Sequence, residues 1–346
     1  MVGDEAIPQG SEKYQRARAF FRANLQELIA RAQKKNVKVL LGELVSNVRD
    51  QEPFLSLYSQ PTGRTGFEQA LAAGRNLEKA GKYHEALVQY DALARIDPQP
   101  ATLHFRRGRC LEAKGDYAGA RSAYERARDL DGLRFRAGTE MNQILREVAQ
   151  STGAPIAAPV AAFEQESPQG LIGNNLMLDH LHSNLRGYFI MAREIARVMQ
   201  QHGFIAAAWE NSRARADSIY WQECGVTPLD EEMARIRIAA LVNSWPFVPK
   251  ASARPFVYTP RNDFEQLAYT TWQRELTWEQ AHVKLAETYT QQRRFAEAAR
   301  EYEALINVVA RQQPQAIAQR QNDLILFSMR MTGYNTKRFK AKSQND

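Results

Sequence analysis

The sequence has little cysteine, no long apolar run and no dense cluster of charge except near its C-terminal end. Its 346 residues include two cysteines, Cys110 and Cys224, which lie far apart and lack the spacing of a zinc site. A disulfide framework and a structural metal are therefore not expected, and no motif indicates a cofactor. The longest apolar runs, such as VKVLLGELV, are shorter than the roughly 18 to 20 residues that a membrane span needs.

The charge of the chain is positive but dispersed. Lysine and arginine outnumber aspartate and glutamate by 46 to 39, and the one dense basic run is TKRFKAK near the C-terminus. A nucleic-acid-binding face clusters its cations so that several phosphates are neutralised together, so the sequence argues against a nucleic-acid partner. Hydrophobic residues at 44% and charged residues at 25% are typical of a folded globular protein with about two domains.

An internal repeat with a period of 34 residues is the clearest pattern in the chain. It appears when residues 67–100 are laid over residues 101–134. The pairs that coincide are Gly74 with Gly108, Gly81 with Gly115, Tyr83 with Tyr117, Ala86 with Ala120, and Tyr90 with Tyr124. This spacing predicts two helices joined by a tight turn, in which small residues let the paired helices approach closely and tyrosines fill the space between successive pairs.

The two units resemble the tetratricopeptide repeat. A weaker third copy begins near Glu279, with Arg293 in place of the turn glycine. Its matching residues are Ala286, Phe295, Ala298 and Tyr302. The resemblance implies a helical array with a concave groove for a peptide or protein partner, and Arg106, Arg109 and Lys114, which are not signature positions, are predicted to line it.

The segments on either side of the repeats predict one interrupted α/β domain. RARAFFRANLQELIARAQKKN, GTEMNQILREVAQSTG and YFIMAREIARVMQQHG have the apolar spacing of helices, whereas VKVLLGELV and APIAAPVAAFE predict buried strands of a parallel sheet. An insertion between such segments costs little loop-closure entropy when its ends lie close together. We therefore expect an α/β fold with inserted all-α repeats and a helical C-terminal region, mostly helical overall.

This organisation gives four expected divisions. Residues 1–62 form the first segment of the α/β domain, residues 63–133 the repeats, and residues 134–205 the second segment. Residues 206–346 form a helical region that contains the degenerate third repeat and a final helix, QAIAQRQNDLILFSMRM.

The segment LDHLHSNLRG brings polar side chains together just before a predicted helix. Asp179 and His182 stand in an Asp-x-x-His arrangement, which places a general base beside a carboxylate that orients its ring. Two other interpretations stay open: a loop that caps the following helix, and a metal site that includes His180. The metal interpretation lacks a third histidine or cysteine nearby.

A second resemblance covers roughly residues 10–60 and 130–250. The segments SNVRDQEPF, RDLDGLRFRA and DHLHSNLRGYFIMA resemble the C-terminal half of an SGNH/GDSL-type hydrolase of the kind that carries tetratricopeptide repeats. The resemblance implies a partial flavodoxin-like sheet and hydrolysis of an ester bond, with His182 as base and Asp179 as its orienting carboxylate. Ser46 and Asn47, after the first predicted strand, are either a substitute nucleophile and oxyanion donor or a polar turn.

One departure bears on activity. The family's Gly-Asp-Ser nucleophile motif is not found, because VGDEA near the N-terminus has Glu5 where the serine would stand. The chain then corresponds to the C-terminal portion of a hydrolase, inactive by itself, whose ester substrate requires a missing N-terminal half. That half would also carry any membrane anchor, so localisation stays open, and an exposed sheet edge favours self-association. The alternative is a protein-protein interaction module built on the repeats.

Overall fold

Two pairs of antiparallel helices build the repeats, as the 34-residue period predicts. The computed structural model describes residues 6–59, 63–206, 215–249, 252 and 254–312. The helices of the repeats are α2 (Arg64–Lys79), α3 (Tyr83–Ile96), α4 (Ala101–Ala113) and α5 (Tyr117–Leu130), preceded by α1 (Glu12–Gln33). The predicted final helix at 315–331 and the basic run at 336–342 lie outside the described residues.

Within each repeat a buried tyrosine lies against the glycine of the facing helix. A Cβ atom placed on Gly74 would lie 2.3 Å from the Tyr90 ring, and one placed on Gly108 would lie 2.6 Å from the Tyr124 ring. The hydroxyl of Tyr124 donates to Glu112 Oε2 at 2.7 Å, and that of Tyr90 donates to Glu78. The predicted close approach of the paired helices is therefore confirmed. The predicted place of the tyrosines was wrong, because each fills the space inside its own pair rather than the space between successive pairs.

The third copy keeps the backbone of the repeat although its turn residue differs. Its helices are α12 (Trp278–Gln291) and α13 (Phe295–Gln312), and Ala286 and Ala298 are fully buried. Arg293 has a φ of 59°, in the left-handed region where Gly81 and Gly115 lie at 73° and 82°. The arginine thus adopts a conformation that glycine takes without steric cost.

The sheet is smaller than the sequence predicts. Strand β1 (Leu41–Gly42) pairs in parallel with β2 (Ile156–Ala157), so the prediction of a continuous strand over VKVLLGELV was wrong in length. Beyond Gly42 the backbone N–H and C=O of Leu44 bond to the Asn142 side chain instead of a strand. After β2, Pro159 has no N–H to donate and begins α7 (Pro159–Glu166). In the described part of the chain, an SGNH-type sheet is not evident.

Helices bury the apolar residues of this ladder and join it to the repeats through two clusters. Helix α6 (Thr139–Thr152) packs with α1 over β1, in a cluster that includes Ile29, Leu41 and Val148. A second cluster joins the second repeat to α7 and to α8 (Leu185–Gln201), through Tyr124, Phe163 and other buried side chains. The repeats are therefore packed on the flanking segments rather than merely tethered to them.

A buried ion pair holds the loop that follows β1. Asp131 accepts from the backbone N–H of Phe54 and Leu55 and pairs with Arg136 Nη2 at 3.2 Å. Arg136 Nη1 donates to the backbone carbonyls of Asn47 and Gln51, each at 2.9 Å. The end of the second repeat thus fixes residues 47–55.

The described residues from 215 onward belong to a separate helical unit. It contains α9 (Asp217–Gln222), α10 (Pro228–Val242), α11 (Asp263–Trp272), α12 and α13. His282 is fully buried there, with Nδ1 2.5 Å from Glu301 Oε2 and Nε2 3.4 Å from Asp230 Oδ1. Burial alone lowers the pKa of His282, but the two carboxylates outweigh burial and raise it to about 9.

In the part of the chain that the structure describes, no helix is both long enough and apolar enough to cross a membrane.

We predict that Gly108→Ala destabilises the protein by about 1 to 3 kcal/mol, because the new methyl group overpacks the interface with Tyr124. The measurement is the free energy of unfolding from urea denaturation. Gly66→Ala is the matched control, since a Cβ at this exposed position of α2 meets no atom within 4 Å, and it should stabilise by up to about 1 kcal/mol. Equal effects of the two substitutions would contradict the packing argument.

We predict that the C-terminal unit loses stability as the pH rises through about 9. The folded-state pKa of His282 lies above its ordinary value of 6.5. The stabilisation from the protonated ring is therefore complete below pH 6.5 and is lost as the pH rises from 6.5 through about 9. Each unit of pKa difference corresponds to about 1.4 kcal/mol. Thermal melts followed by tryptophan fluorescence from pH 6 to 10 measure the effect. His282→Gln should flatten the decline, whereas the exposed His84→Gln should not; an unchanged decline in His282→Gln would refute this assignment.

Candidate functional site

A tight loop holds the Asp-x-x-His pair. Its ends are joined by an antiparallel bridge between Met177 and Ser183, and the Leu178 N–H donates to the His182 carbonyl at 2.7 Å. The Asp179 side chain is buried, and its Oδ1 accepts from the backbone N–H of Leu181 at 2.8 Å and of His182 at 2.7 Å. Its Oδ2 lies 2.7 Å from His182 Nδ1. The predicted pair is thus in direct contact.

The charge of Asp179 sets the state of the His182 ring. Burial on its own raises the pKa of Asp179, but the two backbone donors and the histidine outweigh it and hold that pKa below its usual value. The carboxylate accepts a hydrogen bond from Nδ1–H, and in this tautomer the lone pair of the ring is on Nε2. Because the His182 side chain is 46% exposed, Nε2 is able to take a proton from a group that reaches it.

Asn47 lies beneath this loop and supports it. The residue is buried, and its backbone N–H donates to the His180 carbonyl at 3.1 Å. Its Nδ2 donates to the Asp179 carbonyl at 3.1 Å and to Asn174 Oδ1 at 2.8 Å. The structure therefore places Asn47 as a positioning residue, while the hydroxyl of neighbouring Ser46 donates to the Ala137 carbonyl.

The surroundings of His180 argue against a role in ligand binding. It is buried, with edge contacts to the Phe54 and Phe135 rings, and burial lowers its pKa. Throughout the described ranges, groups of three or more histidine, cysteine, aspartate or glutamate side chains placed to hold a metal are not found.

Two cavities along the repeats form a second candidate site. One cavity of about 470 Å³ is lined by Arg75, Glu78, Lys79, Tyr83, Arg106 and Arg109. A cavity of about 350 Å³ is lined by Arg49, Asp50, Tyr83, Arg109, Glu112, Ala113, Tyr117 and Gln169. Because the two share Tyr83 and Arg109, they form one continuous surface, which we call the repeat groove.

The carboxylates of the repeat groove are already engaged by neighbouring groups. Glu112 accepts from Arg49 Nε at 2.8 Å and from the Tyr124 hydroxyl. Burial alone raises the pKa of Glu112, but these two donors outweigh it and lower that pKa. Glu78, bonded to Tyr90, lies 3.6 Å from Arg106 Nη1 and 3.7 Å from Arg109 Nε. The carboxylates on the floor of the groove are therefore paired.

Sequence reasoning found part of this groove. Arg106 and Arg109 line it, whereas Lys114 lies against His84, with Nζ 3.3 Å from Nδ1. Arg75 was missed although it stands 34 residues before Arg109, the same position of the preceding repeat. Arg49 was missed because a loop outside the repeats carries it, and the sequence holds no signal of that contact.

The comparisons with known proteins agree with the repeats and are silent about the remainder. Residues 71–133 match the family model of the tetratricopeptide repeat. No curated protein and no solved structure matches the chain. The match covers less than a fifth of the 346 residues, so the repeats are shown, and nothing in the comparisons supports a hydrolase component.

Proposed function

We propose that this chain is a protein-protein interaction module that holds a segment of its partner in the repeat groove. The observation that carries the proposal is the pair of adjoining cavities along two tetratricopeptide repeats, whose lining includes Arg75, Lys79, Arg106 and Arg109. Repeat arrays use such concave surfaces for binding. Arg109, whose side chain is half exposed, lies where the two cavities meet.

The groove is well suited to binding because its walls are held in place before a partner arrives. Tyr90 and Tyr124 fix the carboxylates of the floor from beneath. Arg49, from the loop after β1, donates to Glu112 and so holds that loop against the second repeat at the smaller cavity. A preorganised surface loses less conformational entropy when it binds, which favours affinity.

We predict that Ala113→Trp abolishes the binding of groove ligands. Ala113 is exposed and lines the groove, so an indole there fills the space without entering the core. The measurement is binding of the full chain to an array of random synthetic decapeptides. Ala73→Trp is the control, because Ala73 is exposed on α2 nearly opposite Arg75 at about 100° per residue.

The expected result is a set of peptides bound by the wild type and by Ala73→Trp but lost in Ala113→Trp. Circular dichroism melts should show that all three proteins are folded. If Ala113→Trp binds the same peptides as the wild type, the repeat groove is not the binding surface.

A second candidate function is ester hydrolysis of the SGNH/GDSL type, in which Asp179 and His182 act on a nucleophile. What supports it is the fixed Asp179 carboxylate beside an exposed imidazole, the arrangement of a general base and its orienting group. Because the Ser46 hydroxyl is engaged by Ala137, the nucleophile in this chain is water, whose proton passes to Nε2 as its oxygen attacks the ester carbonyl and the alcohol leaves with a proton returned from the ring. The ester is the substrate class this chemistry implies.

We predict that His182 accelerates hydrolysis of p-nitrophenyl acetate and that Asp179→Asn lowers the rate at least about tenfold. Asparagine keeps the acceptor for both backbone N–H groups but presents an N–H to Nδ1, which forces the ring proton onto Nε2. His182→Ala should match buffer, and His84→Ala, at another exposed histidine, should match the wild type. Equal rates for His182→Ala and the wild type would show that His182 does not act as a base.

Serine labelling by a fluorophosphonate, run beside the rate measurement, tests the origin of the nucleophile. We expect no labelling of this chain. A labelled serine that depends on His182 would show that the chain supplies its own nucleophile.

A further inference from the structure

We infer that the C-terminal unit contains a nucleotide-binding site, in which two arginines hold the phosphates of a nucleoside diphosphate and a tryptophan ring stacks on its base. The site is a cavity of about 500 Å³, which we call the C-terminal cavity. Its lining residues belong to the unit that contains α10, α11 and α12. The inference therefore does not depend on the repeat groove or on the Asp-His pair.

Three elements build the C-terminal cavity. The lining residues of α10 are spaced three and four apart, which places them on one face of the helix: Asp230, Met233, Ala234 and Arg237. Trp272 ends α11, Arg274 lies in the turn that follows, and Trp278 begins α12. The volume of about 500 Å³ lies within the range of roughly 300 to 1,000 Å³ that is typical of small-molecule sites.

The two arginines of the cavity have their guanidinium groups free for a ligand. Arg237 and Arg274 are exposed, and their side chains form no hydrogen bond or ion pair with any residue in the described ranges. Arg235 on the same face of solvent-exposed α10 residues is, by contrast, paired with Glu232. Guanidinium groups present N–H donors in a planar arrangement that matches phosphate oxygens. The cavity therefore suits an anion, and a diphosphate carries enough charge for both arginines.

The carboxylate of the cavity is balanced by a neighbouring histidine. Asp230 Oδ1 accepts from the Trp278 indole at 2.7 Å and lies 3.4 Å from His282 Nε2. Its Oδ2 accepts from the Thr227 N–H at 2.8 Å. Burial on its own raises the pKa of Asp230, but His282 and the two donors outweigh it and lower that pKa. Because His282 is itself protonated at neutral pH, the charge that remains for a ligand is that of the two arginines.

Asp230 and Arg237 call for different groups at the two ends of one ligand. They are seven residues apart on α10, about 10 Å along the helix axis. The Asp230 side chain is 22% exposed, and its oxygens have lone pairs left to accept from hydroxyl groups such as those of a ribose. A ligand that reaches both residues therefore carries an anion at one end and donors at the other, which favours a nucleotide over a simple phosphate.

Trp272 adds an aromatic surface to the cavity. Its ring is half-buried, is stacked on Tyr269 with centroids 5.6 Å apart, and makes an edge contact with Phe256 at 5.5 Å. These contacts hold the ring in place while part of it stays accessible in the cavity. A fixed aromatic ring stacks on a nucleobase, because every base has a π face. The cavity thus offers a surface for each of the three parts of a nucleotide.

The test is equilibrium dialysis of the full chain with radiolabelled ADP, with unlabelled ligands as competitors. We expect ADP to bind at least about tenfold more tightly than adenosine, which lacks the phosphates, or pyrophosphate, which lacks the base and the ribose. The dideoxy analogue of ADP should bind several-fold more weakly than ADP, because it has no ribose hydroxyl to donate to Asp230. Pyrophosphate that competes as well as ADP would refute the nucleotide.

Three variants locate the phosphates. Arg237→Ala and Arg274→Gly should each weaken ADP at least about tenfold and leave adenosine unchanged, because each removes charge-assisted hydrogen bonds to phosphate. Arg274 has a φ of 67°, a conformation that glycine takes without steric cost, so its replacement by glycine keeps the turn. Arg300→Ala, at an exposed arginine of α13 that does not line the cavity, should bind ADP as the wild type does.

The outcomes are independent of the proposed interaction module. Equal binding of ADP by the wild type, Arg237→Ala and Arg274→Gly would refute the site, as would a wild type that does not bind ADP at about 1 mM. Circular dichroism melts should show that all variants are folded. Because the variants lie outside the repeats, groove-dependent peptide binding should persist in each of them, whether or not ADP binds.

Discussion

The buried tyrosine-glutamate pair inside each repeat is the interaction on which the rest of this structure depends. Tyr90 and Tyr124 fill the space that Gly74 and Gly108 leave between paired helices, and each hydroxyl donates to a glutamate on the facing helix. A buried hydroxyl needs a partner, and a poorly exposed carboxylate needs a donor, so each satisfies the other. The same bond that closes the helix pair also supplies the charged floor of the repeat groove.

That floor links the repeats to the flanking segments. Glu112, held by Tyr124, binds Arg49 of the loop after β1, and the Asp131 and Arg136 pair holds the rest of that loop. Asn47 of the same loop supports the turn that carries Asp179 and His182. One loop therefore lies between the repeat groove and the Asp-His pair, and its conformation depends on the second repeat. The insertion of helices into the chain is for this reason a structural part of both candidate sites.

Much of the helical array was predictable because its signal is local and repeated. The glycine and tyrosine positions recur every 34 residues, and Asp179 and His182 are three residues apart, so their contact requires only a tight turn. The length of β1 was not predictable, since an apolar run predicts burial but not the number of paired residues. Leu44 bonds to Asn142, about a hundred residues later, and nothing in VKVLLGELV indicates that partner.

The sequence alone determined the helical repeat and the nearness of Asp179 to His182, because each of these follows from short-range spacing. Only the tertiary structure decided that Glu52 lies on Arg106, that Arg49 forms a wall of the groove, and that Asn47 is a buried support rather than an exposed donor. These contacts join residues tens of positions apart. Their partners are chosen by the packing of whole helices, in which a single charged or polar side chain leaves no periodic trace.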